Sequence, residues 1–249
     1  MNRIHSPALV LRRWPFSEHS LIAHVLTPGH GTLSLMAKGA FRLKSGFAGV
    51  LDTWSLVEIE VGPAAKDGLH QLYQAKLLDR MSGLSNHSHH LVVAGILAEL
   101  AELGAPAGQP SARLFLWLQQ WLQRLSEGWP ADPSLVAALL DGLDALGLGP
   151  RLAAPEEQSG RSWFSPALGG AIRGPRPEDH VRPYPPAVQE QLELLSKAPQ
   201  KAQGLNNGEV LDSRTILGEF LHYHLERPPK AWALLHGQHT RRPRSTHSS

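Results

Sequence analysis

Short hydrophobic runs, broken by turn residues, fill the first 80 positions of the chain. The clearest alternation is LVEIEV at 56–61, in which every second residue from Val57 onward is a β-branched hydrophobic residue. A two-residue period is typical of a strand with one buried face. Five such runs predict five strands, which are, in chain order, ALVLRRW, SLIAHVLT, GTLSLMAKG, WSLVEIEV and LHQLYQAKLLDR.

Three turn signals separate these runs. Pro15 follows the first run, TPGHG at 27–31 joins the second to the third, and GPAAKDG at 62–68 precedes the fifth. Proline begins turns and glycine supplies positive φ, so TPGHG predicts a hairpin. Five short strands within 80 residues fit a small barrel, of which the five-stranded OB-fold is one form. Its long loop would then be 39–50, between the third and fourth strands.

Helical periodicity takes over in the rest of the chain. Residues 150–187 interrupt it, because they are rich in Pro, Gly and Arg, and they predict a loop or β-hairpin insertion. The third predicted helix opens with Asp132 as a cap and Pro133 in its first turn. The predicted helices are HHLVVAGILAELAELG (89–104), SARLFLWLQQWLQRLSEG (111–128), DPSLVAALLDGLDALGLG (132–149), PAVQEQLELLSKA (186–198) and SRTILGEFLHYHLER (213–227).

The pattern as a whole predicts an α+β protein in three parts. Residues 1–80 would form an OB-fold barrel. Residues 81–238 would form a mainly α-helical domain with the insertion at about 150–187. The last part, 239–249, is basic and we expect it to be disordered.

Composition narrows the chemistry. The 249 residues include no cysteine, which excludes disulfides, a thiolate nucleophile and cysteine-ligated zinc. Lysine and arginine number 24 against 22 acidic residues, so net charge alone predicts no partner. The first residues lack the apolar core of a secretion signal, and no run approaches the roughly 18 apolar residues of a membrane span. We therefore expect a cytoplasmic protein with no membrane partner.

One segment of the chain lacks acidic residues. No Asp or Glu occurs between Glu18 and Asp52. Within this window, MAKGAFRLKSGFAG at 36–49 carries the cations Lys38, Arg42 and Lys44. A carboxylate here would repel phosphate, so a nucleic-acid partner explains the pattern.

Aromatic residues lie among these cations. Phe41 and Phe47 make a mixture that suits single-stranded nucleic acid, where cations follow the backbone and aromatic rings stack on bases. Arg12 and Arg13, on the first predicted strand, are weaker candidates for contact with DNA. A solvated loop with buried Phe side chains explains the same composition, and the sequence leaves both interpretations open.

Other candidate chemistry is weaker. GAFRLKS at 39–45 lacks the second glycine of a phosphate-binding P-loop. His87, His89 and His90 could ligate zinc, but a position around a helix start explains them more simply. No nucleophile elbow and no convincing acid–base pair is recognisable. We expect neither catalysis, nor a cofactor, nor a bound metal.

The first 60 residues resemble a known family. ALVL, SEHS, TPGHG, AKGAFRLKS and LDTWSLVEIE, all within 8–61, match the N-terminal domain of the RecO family of bacterial DNA repair and recombination mediators. LHYHLERPPKAWALL at 221–235 is similar to the family's last helix. The resemblance implies an OB-fold followed by a helical domain. It also implies a non-enzymatic protein that binds single- and double-stranded DNA and anneals complementary strands.

The resemblance implies partners as well. Such a protein works with RecR to load the RecA recombinase onto strands coated by the single-stranded-DNA-binding protein SSB, and its link to RecA is indirect. We would then expect it in the cytoplasm, associated with the nucleoid. The alternative is a structural adaptor whose main role is contact between proteins, with DNA binding incidental.

One departure from the family concerns zinc. Many members carry a four-cysteine zinc module around a hairpin with FSP and GG, whereas this chain has WFSPALGGAIRGP at 163–175 and no cysteine. We expect the hairpin to persist without metal, held by Trp163, Phe164 and Ile172.

A tryptophan–leucine stripe runs along 111–125. The resemblance implies that the helical domain receives the C-terminal tail of SSB, which is acidic with an apolar end. Trp117 and Trp121 would supply an apolar groove for it, with Arg113 and Arg124 as the cations. A buried core face is the commoner explanation of such a stripe.

Overall fold

The first five strands close into a barrel in a computed structural model of the chain, which describes residues 3–42, 45–152, 162–172, 174 and 183–237. Around the barrel the order is β1-β2-β3-β5-β4, and all pairs are antiparallel except β3 with β5. This closure confirms the predicted five-stranded OB-fold. The strands are β1 Ile4–Ser17, β2 Ser20–Thr27, β3 Gly31–Ala37, β4 Leu56–Ala64 and β5 Leu69–Asp79.

Strand β1 is longer than its sequence predicts, because Pro15 does not end it. Residues 4–9 of β1 pair with β4, whereas residues 9–17 pair with β2. Proline cannot donate a hydrogen bond, so it is tolerated where a strand has one free edge. The turn to β2 therefore lies at 18–19, and the residues around Pro15 belong to the barrel wall.

The barrel encloses its own apolar core. The alternation predicted for β4 is confirmed, since Val57, Ile59 and Val61 are buried while Glu58 is exposed. The loop between β3 and β4 also contributes to this core. The buried residues of the core are Ala8, Val10, Leu21, Ala23, Val25, Leu33, Leu35, Ala37, Ala40, Leu51, Val57, Ile59, Val61 and Leu72.

Six α-helices and two short 3-10 helices follow within the described ranges, and the first five α-helices lie where the sequence shows helical periodicity. Helices α1, α2 and α3 pack against one another, and α4 and α5 pack against α3. The bounds are α1 Ser88–Gly104, α2 Ala112–Ser126, α3 Ala131–Ala145, α4 Pro186–Lys197, α5 Leu211–His224 and α6 Trp232–Gly237, with 3-10 helices at Ser82–Asn86 and Pro199–Gly204.

Two details of the predicted helices are wrong. Helix α3 begins at Ala131, so Asp132 lies inside the first turn and is buried instead of capping the helix. The segment 221–235 is not one helix, because α5 ends at His224 and α6 begins at Trp232. Two prolines in the connection remove amide donors and disfavour helix in the residue before them.

The barrel and the helices share a continuous apolar core. Leu9, Leu11 and Leu26 face outward from the barrel and are buried among helical side chains. The β2–β3 turn docks on the loop after α1, where the Thr32 amide donates to the Ala105 carbonyl at 3.1 Å. Gly31 has φ +62°, and a Cβ there would lie 2.2 Å from the Pro106 carbonyl oxygen. Only glycine fits this turn against its neighbour.

The insertion forms a small three-stranded sheet in its described part. Strands β6 Ser162–Ser165, β7 Gly170–Ile172 and β8 Pro183–Tyr184 are ordered β7-β6-β8, as the predicted hairpin requires. The Phe164 ring meets the Phe220 ring of α5 at 5.8 Å between centroids. His224 Nε2 donates to the Pro166 carbonyl at 2.9 Å. The rest of the insertion and the predicted tail 239–249 lie outside the described residues.

Candidate nucleic-acid interface

The loop after β3 presents cations on a packed base. Ala40 and Leu51 are buried in the barrel core, so the loop is anchored at both ends. Lys38 and Arg42 are exposed, and none of the ion pairs in the described ranges involves either of them. Lys44, the third predicted cation, lies outside the described residues. Two unpaired positive charges therefore project from a fixed loop.

The two phenylalanines of the loop have different surroundings. Phe41 is 48% exposed, whereas Phe47 is half-buried and packs against the barrel core. The Phe41 amide donates to the His19 carbonyl at 3.3 Å, which holds this part of the loop against the β1–β2 turn. Of the two predicted stacking residues, Phe41 is the one whose ring is available to a ligand.

Two aromatic residues of β1 join Phe41 and were missed in the sequence. Trp14 and Phe16 are 41% and 60% exposed, and they flank Pro15. The sequence does show WPF directly after two arginines. Because Pro15 was predicted to end the first strand, Trp14 and Phe16 were not expected on the barrel surface. A cavity of about 300 Å³ opens here, lined by Arg13, Trp14, Pro15, Leu21 and Phe41.

Arg13 lines this cavity and is held by an acid. Asp52 accepts ion pairs from Arg13 at 2.9 Å and from Arg80 at 2.7 Å. The carboxylate that ends the acid-free window is therefore shared between two guanidinium groups, and the cluster keeps a net positive charge. Arg13 thus remains a candidate for contact with DNA.

Arg12 points to a different place. It pairs with Glu102 of α1, and His24 Nε2 lies 3.3 Å from the same carboxylate. Burial lowers the pKa of His24, and the charge of Arg12 adds to this effect against the opposing attraction of Glu102. Arg12 is therefore a residue of the junction between barrel and helices, and the structure separates it from Arg13.

One carboxylate borders the candidate interface. Glu18 is exposed in the β1–β2 turn. It lies next to His19, whose carbonyl accepts the hydrogen bond from the Phe41 amide. The β1–β2 turn thus lies between two exposed sets of side chains, Trp14 and Phe16 of β1 and Lys38, Phe41 and Arg42 of the loop that is bonded to the turn. From here on we call these five residues, with Arg13, the cation–aromatic face.

The predicted groove on α2 is occupied by the protein itself. Trp117 and Trp121 are 4% and 0% exposed, and the Trp117 indole donates to the Ala138 carbonyl at 3.0 Å. Arg113 pairs with Asp144 at 2.5 Å. Arg124 lies over the Trp121 ring at 4.4 Å. The tryptophan stripe is core, and these four residues do not line a groove in this structure.

The histidines before α1 serve the fold. His89 Nε2 lies 3.0 Å from Asp132, and Arg214 donates to the other oxygen of that carboxylate at 2.5 Å. His90 is buried, which lowers its pKa, with the nearby His87 and His89 acting in the same direction. Among the described residues, no group of three His, Asp or Glu side chains could hold a metal ion.

A larger cleft of about 640 Å³ lies between the barrel and α1. Leu11, Trp54 and Leu103 supply its apolar walls, and the connection between α5 and α6 supplies Arg227 and Lys230. Both of these cations are exposed. Two carboxylates, Glu99 and Glu102, also line the cleft, so it offers apolar surface beside charges of both signs. Its apolar walls and cations are the two features that were predicted for α2.

Comparison with known proteins decides the family. A family model described as "Recombination protein O N terminal" matches residues 1–81, and one described as "Recombination protein O C terminal" matches residues 88–233. The chain belongs to the RecO family. The resemblance found in the sequence is thereby confirmed, and with it the RecO arrangement of an OB-fold followed by helices.

Several relatives cover most of the RecO chain, and each bears the name "DNA repair protein RecO". The relative from Synechococcus sp. (strain JA-3-3Ab) is 27% identical over 90% of this chain and 82% of its own length. That from Anaeromyxobacter sp. (strain K) is 29% identical over 91% and 93%. That from Streptomyces griseus subsp. griseus is 27% identical over 91% and 96%. The RecO family thus places the chain in DNA repair. No helix in the described part of the chain is long and apolar enough to span a membrane.

Proposed function

We propose that this chain is a non-enzymatic recombination mediator that binds DNA through the cation–aromatic face of its barrel. The observation that carries the proposal is the pairing of free cations with exposed rings on a closed OB-fold. Lys38 and Arg42 have no ion-pair partner among the described residues, and Phe41 of the same loop is exposed. Cations bind the phosphates of a single strand and rings stack on its bases.

Annealing follows from the same chemistry. Two complementary strands repel each other, and a protein that neutralises phosphates lowers that repulsion. Contacts to phosphate position a strand without reading its sequence, so base edges remain free to pair. In this proposal the chain binds single- and double-stranded DNA, anneals complementary strands and, with RecR, helps to load RecA onto SSB-coated DNA in the nucleoid.

The proposed contact with the SSB tail is better served by the cleft between barrel and α1 than by α2. An acidic peptide with an apolar end needs an apolar wall beside a free cation. The cleft offers Trp54 and Leu103 as walls and Arg227 and Lys230 as cations, whereas the tryptophans of α2 are buried. Replacing both cations by alanine should weaken binding of a tail peptide to the full chain. Unchanged binding would exclude the cleft.

The test of the proposed function uses the full chain with complementary oligonucleotides. We expect it to accelerate their annealing, also when both strands are coated with SSB, and to lose affinity for a single strand steeply as salt rises. An adaptor would instead bind partner proteins without binding bare DNA at physiological salt. That result would favour the alternative function over the mediator.

A further inference from the structure

The cavity beside Trp14 has the form of a prepared ligand site. Its volume of about 300 Å³ lies at the lower end of ligand pockets, which span roughly 300–1,000 Å³. Trp14 and Phe41 keep large ring surfaces in solvent, although a folded chain gains free energy by burying such rings. Contiguous exposed apolar surface of this kind marks an interaction site.

The walls of the cavity are fixed before any ligand arrives. Trp14 and Pro15 belong to β1, where they pair with Ile22 and Leu21 of β2. The backbone of Phe41 is tied to the turn by the hydrogen bond from its amide to the His19 carbonyl, at 3.3 Å. A rigid site loses less conformational entropy on binding than a flexible loop does.

The lining has a particular chemistry. Trp14 and Phe41 contribute aromatic rings, Pro15 and Leu21 contribute hydrocarbon, and Arg13 contributes a guanidinium group held by Asp52 at 2.9 Å. Rings and a guanidinium plane stack on any flat heteroaromatic group. The free cations Lys38 and Arg42 lie in the same loop as Phe41, which suits a flat group that belongs to an anionic polymer.

We propose that this cavity receives one unstacked nucleobase of a single DNA strand. The proposal rests on the proposed DNA-binding function and names the form of DNA that the site selects. A base in a duplex is paired and stacked, and moving it out costs a few kcal/mol. A single strand offers its bases without that cost, so the cavity favours single strands over duplex. The side chains of the lining carry two hydrogen-bonding groups, the Arg13 guanidinium and the Trp14 indole N–H, and both only donate, so the preference among bases is weak.

The experiment compares the full chain with its Trp14→Ala and Phe41→Ala variants. Each is titrated with a labelled single strand, with the duplex of the same sequence, and with a single strand in which abasic residues replace the nucleotides. Tyr73→Ala is the matched control, because Tyr73 is an equally exposed barrel aromatic, 45% exposed, that is covered by Arg3 at 4.6 Å on another strand. Trp14→Phe keeps a ring in the cavity.

We expect Trp14→Ala to weaken single-strand binding by about 5- to 150-fold, the range for loss of one stacked base. Duplex binding and the salt slope should change little, and Trp14→Phe should restore most of the affinity. The wild type should bind the abasic strand more weakly than the intact strand, and Trp14→Ala should distinguish the two strands less than the wild type does. Such non-additivity is the signature of a direct contact.

Four outcomes separate this proposal from its alternatives. Equal loss of single-strand and duplex binding in Trp14→Ala would overturn it, as would equal binding of intact and abasic strands by the wild type. The second comparison needs no variant and holds even if Trp14→Ala fails to fold. If the wild type binds no DNA at all, the proposed function itself fails. Binding of an apolar peptide in place of DNA would assign the cavity to a protein partner.

Discussion

Asp132 and Arg214 form an ion pair inside the helical domain, 82 residues apart in sequence and 2.5 Å apart in space. Both side chains are almost fully buried. The pair joins α3 to α5, and His89 adds a third element from α1. Removing one partner of a buried pair leaves the other charge without compensation, which is costly.

Asp132→Asn and Arg214→Ala should therefore each lower the free energy of unfolding by about 3–5 kcal/mol. Chemical denaturation followed by circular dichroism measures this change. Asp144→Asn is the control, because it breaks the ion pair between Arg113 and Asp144. The side chains of these two residues are 60% and 70% exposed, respectively. That loss should be at most about 1 kcal/mol. Equal effects of the buried and the exposed substitution would show that burial does not determine the strength of these pairs.

Stability should fall as the pH drops below about 6.5, the ordinary pKa of histidine. Burial lowers the pKa of His24 and of His90, so the unfolded chain binds protons that the folded chain excludes. Asp132 acts only at lower pH. Burial alone would raise its pKa, but His89 and Arg214 outweigh burial and lower it, so its contribution is lost below about 4.

Thermal unfolding between pH 8 and about pH 3 tests this order. His24→Gln should reduce the slope between pH 6.5 and pH 5, while a variant of an exposed histidine, His5→Gln, should leave it unchanged. A stability that is flat across this range would contradict the assignment of neutral buried histidines.

Removal of the three loop cations should reduce the salt dependence of DNA binding. Each cation that neutralises a phosphate of a single strand contributes about −0.7 to the slope of log affinity against log salt. Replacing Lys38, Arg42 and Lys44 together by alanine should flatten the slope by up to about two units. Fluorescence anisotropy over a salt series measures it.

A variant with the same net charge serves as the control for the loop. Replacing Arg113, Lys197 and Lys201 by alanine removes three charges from the helical domain and should leave the slope near that of the wild type. If both triple variants behave alike, general charge and not the loop determines binding. The absence of acids from 19–51 would then need another cause.

Glu18→Gln should strengthen DNA binding. Glu18 is the exposed carboxylate at the margin of the cation–aromatic face, and it repels a phosphate that approaches Phe41 or Arg42. The gain should be a few-fold and should shrink as salt screens the charge. Glu190→Gln, on the exposed surface of α4, is the control. Equal gains in both variants would mean that DNA does not approach the β1–β2 turn.

Most of the fold follows from periodicity, because strands and helices impose different spacings on their buried residues. Local pattern does not contain long-range contacts, so the buried role of Asp132, which depends on Arg214, could not be predicted. A tryptophan–leucine stripe along one helix is more often core than groove, but the sequence alone does not decide between them, and Trp121 is core.

The candidate site was predicted in part. Lys38, Arg42 and Phe41 lie together on the surface, as the acid-free window suggests. Phe41 and Phe47 look alike in sequence, and only the packing of the loop against the barrel distinguishes them. Trp14 joins the site because β1 continues through Pro15, which depends on a free strand edge that no local signal reveals.

The shared core holds the barrel and the helices in a fixed position relative to each other. Leu9, Leu11 and Leu26 would be exposed if the barrel were separated from the helices, so the barrel, which we propose binds DNA, is not an independent folding unit. Gly31 of the barrel packs closely against the Pro106 carbonyl of the helical domain, so the barrel and the helices have little freedom to rotate against each other. If a partner protein binds the helices and a DNA strand binds the barrel, the partner is therefore held at a fixed distance and orientation relative to the DNA. Any hand-over of that strand must be achieved by motion of the DNA or of the partner.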